Sequence, residues 1–340
     1  MGHRVGVYRR MDRRDMGETT EKKAAVVTGV AGFVGSHLAS RLLELGFGVV
    51  GVDNLFSGKL ENIRSMQGRP GFSFYRRSVT EPGLLPQLKA EHPHLNYCFH
   101  LAAIVSVPYS LDHPQETMDT NCTAVVEMLR QAEALGFRAF VFAGSAAEYG
   151  TDQRLPLLEE YADDDTVHLS PYGLAKYLAS RQVGRSPIGV SLRCFNIYGP
   201  LQDPSSPYSG VISRFIRMAS RGEPITIFGD GLQTRDFVYV SDVVEGYLRV
   251  ACPDPSHPEI QPGVYNIGRG IGTSILDLAA LIRELTRSSS KLSFLEERAG
   301  DIRHSRADIS ALERATRWRP RVDLADGLAR TIEWMQGTRD

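Results

Sequence analysis

The strongest constraint on the fold is the junction Thr28-Gly29-Val30-Ala31-Gly32-Phe33-Val34-Gly35, which lies between an apolar run and an amphipathic stretch. Before it, residues 24–28 (AAVVT) read as a strand buried on both faces. After it, residues 33–45 place Phe33, Val34, Leu38, Leu42 and Leu45 on roughly one helical face, and Gly46 follows as a C-terminal cap. Residues 48–53 (GVVGVD) form a second apolar strand. Together they make one βαβ unit. The glycines are spaced G-x-x-G-x-x-G. They permit a tight turn and a close backbone approach to a pyrophosphate, and the helix start adds free N–H groups and partial positive charge.

A glycine triplet alone also arises in ordinary turns. Here the strand, the helix and an acid agree. Asp53 ends the second strand, where a carboxylate accepts hydrogen bonds from adenosine ribose hydroxyls and repels a 2′-phosphate. NAD is therefore favoured over NADP. The other reading of Asp53 is a turn residue opening Asp-Asn-Leu.

The alternation continues along the chain. Residues 97–101 read as a strand, 116–135 as a helix closed by Gly136, and 139–145 (AFVFAGS) as a strand. Residues 171–184 read as a helix with proline near its start, and 190–198 (VSLRCFNIY) as a further strand. This pattern predicts an α/β fold, a doubly wound parallel Rossmann sheet. After Gly199 the texture changes. Residues 200–210 are rich in Pro, Ser and Gly and read as a loop, and helical patterns return at 274–286 and 323–336. Residues 23–195 plus about 237–265 are expected to form a NAD-binding domain, and 196–236 plus about 266–340 a smaller C-terminal α/β substrate domain. Residues 1–22 are charged and lack the apolar centre of a secretory signal. They read as a disordered lead, with Met11 and Met16 as alternative starts.

Composition excludes several classes. The formal net charge of −1 leaves no basic field for nucleic acid or an acidic membrane surface. No apolar run approaches bilayer length. The four cysteines, Cys98, Cys122, Cys194 and Cys252, form no close pair and no zinc-ligand spacing, so no metal is expected. Cys98 and Cys194 fall in strand-like runs and read as buried free thiols. A reducing compartment, by default the cytoplasm, fits them.

The candidate chemistry lies on Tyr172 and Lys176, spaced Y-x-x-x-K and so on one helix face. A tyrosine titrates near pH 10 in the absence of neighbours; a nearby ammonium stabilises the phenolate and makes it usable as a base. This spacing is common on solvated helices, and its weight comes from the glycine loop upstream. Ser145 ends its strand, where carboxyl ends of parallel strands line the ligand crevice. Alone it would read as a cap or turn serine.

With these residues in view, the chain resembles the extended short-chain dehydrogenases/reductases of the nucleotide-sugar epimerase and dehydratase group, and UDP-hexose 4-epimerases most. The similarity runs over residues 23–335 through TGVAGFVG, VDNLFSG, HLAA, GSAAEYG, YGLAK, LRCFNIYGP, GDGLQTRDFVYV and RAGDIRHSRAD. The resemblance implies that Gly29, Gly32, Phe33 and Val34 contact the pyrophosphate. It places Asp53, Asn54, Ser57 and Gly58 around the adenosine ribose and its phosphate. Ser78 and Val79 would flank the adenine, where the family often has an Asp in place of the serine, and Leu101, Ala102 and Ala103 would line the cofactor. Tyr172 would be the base, Lys176 would hold the nicotinamide ribose, and Ser145 would bond the sugar O4. On the substrate side, Asn196 would meet the diphosphate, Phe228 and Val211 the uracil, and Asp301 the nucleotide ribose. Arg235 and Arg298 would clamp phosphates as guanidinium forks. A homodimer packed through helices of the first domain is expected on the same ground.

Sugar dehydratases of this group carry an Asp-Glu pair directly after the serine or threonine. This chain has Ala146 and Ala147 there, and Glu148 comes one position late, where the facing differs. Methyl groups cannot shuttle protons. Related decarboxylases usually have a Glu in the same short segment, so that reading weakens too. What remains is oxidation and re-reduction at one carbon, a 4-epimerisation of a UDP-hexose through a transient 4-keto sugar. Ser305, where resembling epimerases can hold a bulky tyrosine, is expected to leave room for a 2-acetamido group, or else simply to fill space. UDP-GlcNAc and UDP-GalNAc are thus expected beside UDP-Glc and UDP-Gal. A uronic acid, facing Arg303 and Arg306, stays open, as does another reductase or dehydratase of nucleotide sugars. A non-catalytic NAD-sensing protein is the remaining class, against which the intact Tyr-Lys pair argues.

Overall fold

The computed structural model describes residues 23–203, 210–251, 260–297 and 301–337. The lead at 1–22, Cys252 and Arg298 lie outside the described residues. Short apolar runs between glycine turns form β1 (Ala24–Thr28), β2 (Gly48–Val52), β3 (Phe72–Tyr75), β4 (Leu95–His100), β5 (Ala139–Ser145) and β6 (Gly189–Cys194). The remaining strands are β7 (Asn196–Tyr198), β8 (Ile225–Phe228), β9 (Thr234–Tyr239), β10 (Gly263–Ile267), β11 (Gly272–Ser274) and β12 (Leu292–Leu295). Seven of them make one sheet in the order β3-β2-β1-β4-β5-β6-β10, every pair parallel. This is the expected doubly wound α/β fold. The strand order reverses between β1 and β4, so the loops leaving them part and open a crevice at their carboxyl ends.

Both faces of the sheet are covered, which is why its strands read as continuous apolar runs. In β5, Val141 enters the core shared with the helices Phe33–Glu44 and Val240–Ala251. Phe140 and Phe142 enter the opposite core, with the helices Ala124–Ala134 and Pro171–Arg185. Successive strand residues point to opposite faces, so one strand serves two cores. Leu45 does not join the face expected for it. The first helix ends at Glu44, and Leu45 is 49% exposed at its cap.

Three further differences affect the site. The run expected as one strand over 190–198 breaks at Phe195: β6 belongs to the large sheet, whereas β7 pairs with β9 in a small β11-β9-β7 sheet. The chain expected to rejoin the first unit at about 237 is still in the small sheet as β9; the helix Val240–Ala251 and β10 make the return. The single helix expected over 116–135 is broken by a π-turn at Asp119–Thr123. Among the described residues, no helix is long and apolar enough to cross a membrane.

Candidate active site

The crevice is a cleft of about 900 Å³. Its floor is the glycine loop. Gly29 has φ +70°, and a Cβ there would lie 2.7 Å from the Ala102 nitrogen. A Cβ on Gly35 would lie 2.1 Å from the Gly29 carbonyl oxygen. The helix Phe33–Glu44 starts at Gly32 with no side-chain cap, which leaves first-turn N–H groups for an anionic ligand. Gly32, Phe33 and Val34 line the cleft beside them.

Asp53 also faces this cleft, and its carboxylate holds the loop in place. Oδ2 accepts from Ala31 N (2.9 Å) and Oδ1 from Leu55 N (2.8 Å). Burial raises its pKa above the ordinary value, and those two N–H groups counteract the rise. Asn54, Ser57 and Gly58 line the same wall; a Cβ on Gly58 would lie 2.8 Å from the Asp53 carboxylate. Leu101, Ala102 and Ala103 form the opposite wall. Their start is fixed by Thr28, whose Oγ1 accepts from Leu101 N and Ala102 N, each at 3.2 Å. With both lone pairs used, the Thr28 hydroxyl donates to Nδ1 of His100 (3.2 Å). Burial pushes the His100 pKa down to about 3, so the ring is neutral. Val79 lines the cleft but Ser78 does not; its hydroxyl is bonded to Thr80 Oγ1 at 2.8 Å, and Arg77 lines the cleft there instead.

Ser145, Tyr172 and Lys176 meet at one end of this cleft, with Cys194 and Tyr247. Ser145 ends β5 and caps the short turn Ala146–Tyr149. Ser170 and Pro171 start the helix that carries Tyr172 and Lys176, with Ser170 Oγ accepting from Gly173 N. The helix runs close to the Ser145 segment because residue 173 is glycine; a Cβ there would lie 2.8 Å from the Ala147 carbonyl.

The Tyr172 shift runs opposite to the expected one. Burial pushes the Tyr172 phenol up to about 12, against a lowering hydrogen bond from Ser145. Burial also pushes Lys176 down to about 8, and its Nζ donates to the Ala143 carbonyl at 2.8 Å. The phenol therefore titrates above its ordinary value, the reverse of the lowering expected from the lysine. Both ions lose hydration in the same pocket, and desolvation disfavours each charged form.

A stability prediction follows from the sign of the lysine shift. A pKa lowered from 10.5 to about 8 means the folded state resists protonation. Stability attributable to this group rises between pH 8 and 10.5 and is lowest below pH 8. Lys176→Met is expected to be more stable than the parent by about 1–3 kcal/mol at pH 7, the lost Ala143 bond offsetting part of the gain. Urea denaturation at pH 7 and pH 10 checks this; a parent that is equal or superior at pH 7 would contradict it.

A second cavity of about 370 Å³ adjoins the first, and Val105 lines both. It gathers Asn196, Val211, Phe228, Arg235 and Asp301. The break at Phe195 accounts for this division, sending Cys194 to the first cavity and Asn196 to the second. Arg235 is ion-paired with Asp301 and donates to the Thr234 carbonyl at 2.8 Å. Burial lowers its pKa and Asp301 counteracts that.

Ser305 is not where a gate would be. It is buried and lines neither cavity, and its backbone N is tied to the Thr234 carbonyl at 3.1 Å. Arg303 is bound to Asp230 (2.7 Å) on the surface. Glu148 is turned away from the cleft and fully buried against Arg193.

Several lining residues escaped the sequence reading, among them Tyr109, Cys194 and Tyr247 in the cleft and Arg214 and Gln233 in the second cavity. Arg214 was within reach, since three residues after Val211 on a helix it shares that face. Tyr247 lies on a helix whose pattern marks only a buried face.

A dinucleotide-type cleft that ends in a serine, a tyrosine and a lysine, with a polar cavity alongside, defines a Rossmann-type enzyme that holds its substrate next to a nicotinamide. The chain belongs to the NAD dependent epimerase/dehydratase family, whose model matches residues 25–268. Over 320 residues it is 34% identical to UDP-glucose 4-epimerase of Mycolicibacterium smegmatis, covering 92% of this chain and 98% of the relative. It is 32% identical to UDP-glucuronic acid decarboxylase 1 of Xenopus tropicalis, covering 93% of this chain and 73% of that one. The structure of Thermotoga maritima UDP-glucose 4-epimerase with UDP-glucose superposes with TM-score 0.83 at 34% identity, covering 93% of this chain and all of that one. The family thus fixes NAD as the cofactor and an extended short-chain dehydrogenase/reductase as the scaffold, while its members include both an epimerase and a decarboxylase.

Proposed function

We propose that the protein is a NAD-dependent 4-epimerase of UDP-hexoses. The observation that carries this reading is the segment after Ser145. Ala146 and Ala147 offer no proton-shuttling group, and the Glu148 carboxylate is buried behind the strand end rather than in the cleft. Dehydration and decarboxylation both lose support from that arrangement.

Gly29, Gly32, Phe33 and Val34 would hold the pyrophosphate of NAD, Asp53 its adenosine ribose, and Lys176 its nicotinamide ribose. Glycine positions that a Cβ would fill, together with an uncapped helix start, fit such a group. When bound, NAD supplies a hydride acceptor and a positively charged ring at this end of the cleft. Tyr172 takes the proton of the sugar O4 and later returns it, and Ser145 bonds the same oxygen. Asn196, Arg235 and Asp301 keep the nucleoside diphosphate in the second cavity while the 4-keto sugar turns over. Nothing is consumed, so the cofactor can stay bound.

The test is NMR of the products from UDP-glucose, UDP-galactose, their 2-acetamido forms and UDP-glucuronate, with no NADPH added. Inversion at C4 of at least one sugar is expected. Loss of CO2 or of water, or no change in any sugar, would remove the epimerase reading.

A further inference from the structure

Glu148 lies outside the acid/base chemistry just described, yet its surroundings are tightly built. Its side chain is fully buried, and that of its partner Arg193 is 4% exposed. Oε2 accepts from Arg193 Nε at 2.5 Å. Oε1 accepts from the backbone N of Ser145 (2.8 Å) and from Ser180 Oγ (2.7 Å). Ser180 in turn receives Ser191 Oγ at 2.7 Å. Arg193 is anchored from behind, donating to the Glu159 carbonyl at 2.6 Å with its guanidinium 5.0 Å over the Tyr149 ring.

Two features connect this pair to the reacting end of the cleft. Tyr172, Lys176 and Ser180 are successive i,i+4 positions on one helix, so the carboxylate sits one turn along the stripe that carries the tyrosine and the lysine. It also presses on the strand end between them: a Cβ on Gly144 would lie 2.8 Å from Oε1, and the neighbouring Ala143 carbonyl receives Lys176.

We propose that Glu148, clamped by Arg193, is a positioning residue of the proton-transfer site, which fixes Ser145 from behind and keeps the Lys176 amine cationic. The proposal rests on the reading of Tyr172, Lys176 and Ser145 given above. The groups facing Lys176 are few. Cys194 ends β6, His100 on β4 is neutral, Tyr172 lies on its own helix, and Tyr247 approaches from the helix Val240–Ala251. Beyond Glu148 itself lie Arg193, Tyr149 and Glu159, whose carboxylate also acts on Arg193 and Tyr149. Glu148 is the carboxylate that supports the lysine cation against desolvation while opposing ionisation of Tyr172.

The test is Glu148→Gln, which keeps the acceptor oxygen and removes the charge. Both limbs of the pH profile of kcat/KM are expected to move down by about one pH unit, so activity past the alkaline limb falls about ten-fold against the parent. The companion readout needs no turnover. Trace acylation of amines, quantified on the Lys176 peptide by mass spectrometry, should show the amine becoming reactive about one unit lower. Because the single change strands Arg193, Glu148→Gln/Arg193→Met supplies a variant with neither charge, in which a smaller displacement in the same direction is expected, since the opposing Arg193 cation is removed as well. An unchanged labelling midpoint in a folded variant, or a uniform loss of turnover with no displacement, overturns the proposal. A protein that epimerises no sugar but shows the labelling shift would sink the functional reading and leave this one standing.

Discussion

Replacing Tyr172 with phenylalanine is expected to lower turnover about 10²–10⁴-fold, the range for a positioned acid/base group. The cofactor should remain, because the phenol is one lining group in a cleft of about 900 Å³ whose floor and walls come from other segments. The ring keeps its packing and only the hydroxyl is lost, together with its hydrogen bond to Ser145. Turnover and NAD content of the purified variant, read by absorbance after acid release, separate the two effects. Parent-like turnover would mean that another group, such as Tyr247 in the same cleft, carries the proton.

The second large effect is expected at the glycine loop. Gly35→Ala puts a methyl carbon 2.1 Å from the Gly29 carbonyl oxygen and 2.8 Å from its carbon. These are backbone atoms and cannot rotate away. The loop must lift, and Gly29 cannot absorb the movement, since it is itself packed against Ala102. Loss of about 1–3 kcal/mol of stability or more is expected, as for other overpacked sites, along with loss of copurifying NAD. Gly46→Ala is the control. Unlike Gly35 it has positive φ, +82°, but its Cβ would meet nothing within 4 Å. It should cost about 1–2 kcal/mol of left-handed strain and leave NAD content unchanged. Equal NAD loss in both variants would detach the loop from cofactor binding.

Much of this architecture was legible because it is local. The run Ala24–Thr28, the glycines after it and the helix from Phe33 are each set by residues within one turn or strand of each other. The same holds for Tyr172 and Lys176, which any helix places on one face. The break at Phe195 was not legible, because VSLRCFNIY is uniformly strand-like and the choice of sheet depends on β5, β9 and β10. β3 was missed because FSFY is only partly buried and carries a weak pattern. Ser305 shows a related limit: a residue's place in a motif does not say whether its side chain faces a cavity, and in the fold it is buried and lines neither one.

By itself the sequence determined which groups could do chemistry: a serine at a strand end, a tyrosine and a lysine one helical turn apart, an aspartate after the second strand, and two alanines where acids would be needed. Only the tertiary structure decided their electrical state. Residues distant in the chain bury Tyr172 and Lys176 together, raising one to about 12 and lowering the other to about 8. They also set Glu148 against Arg193 behind Ser145. Desolvation and charge pairing depend on what surrounds a group in space, and no local pattern of residues specifies that.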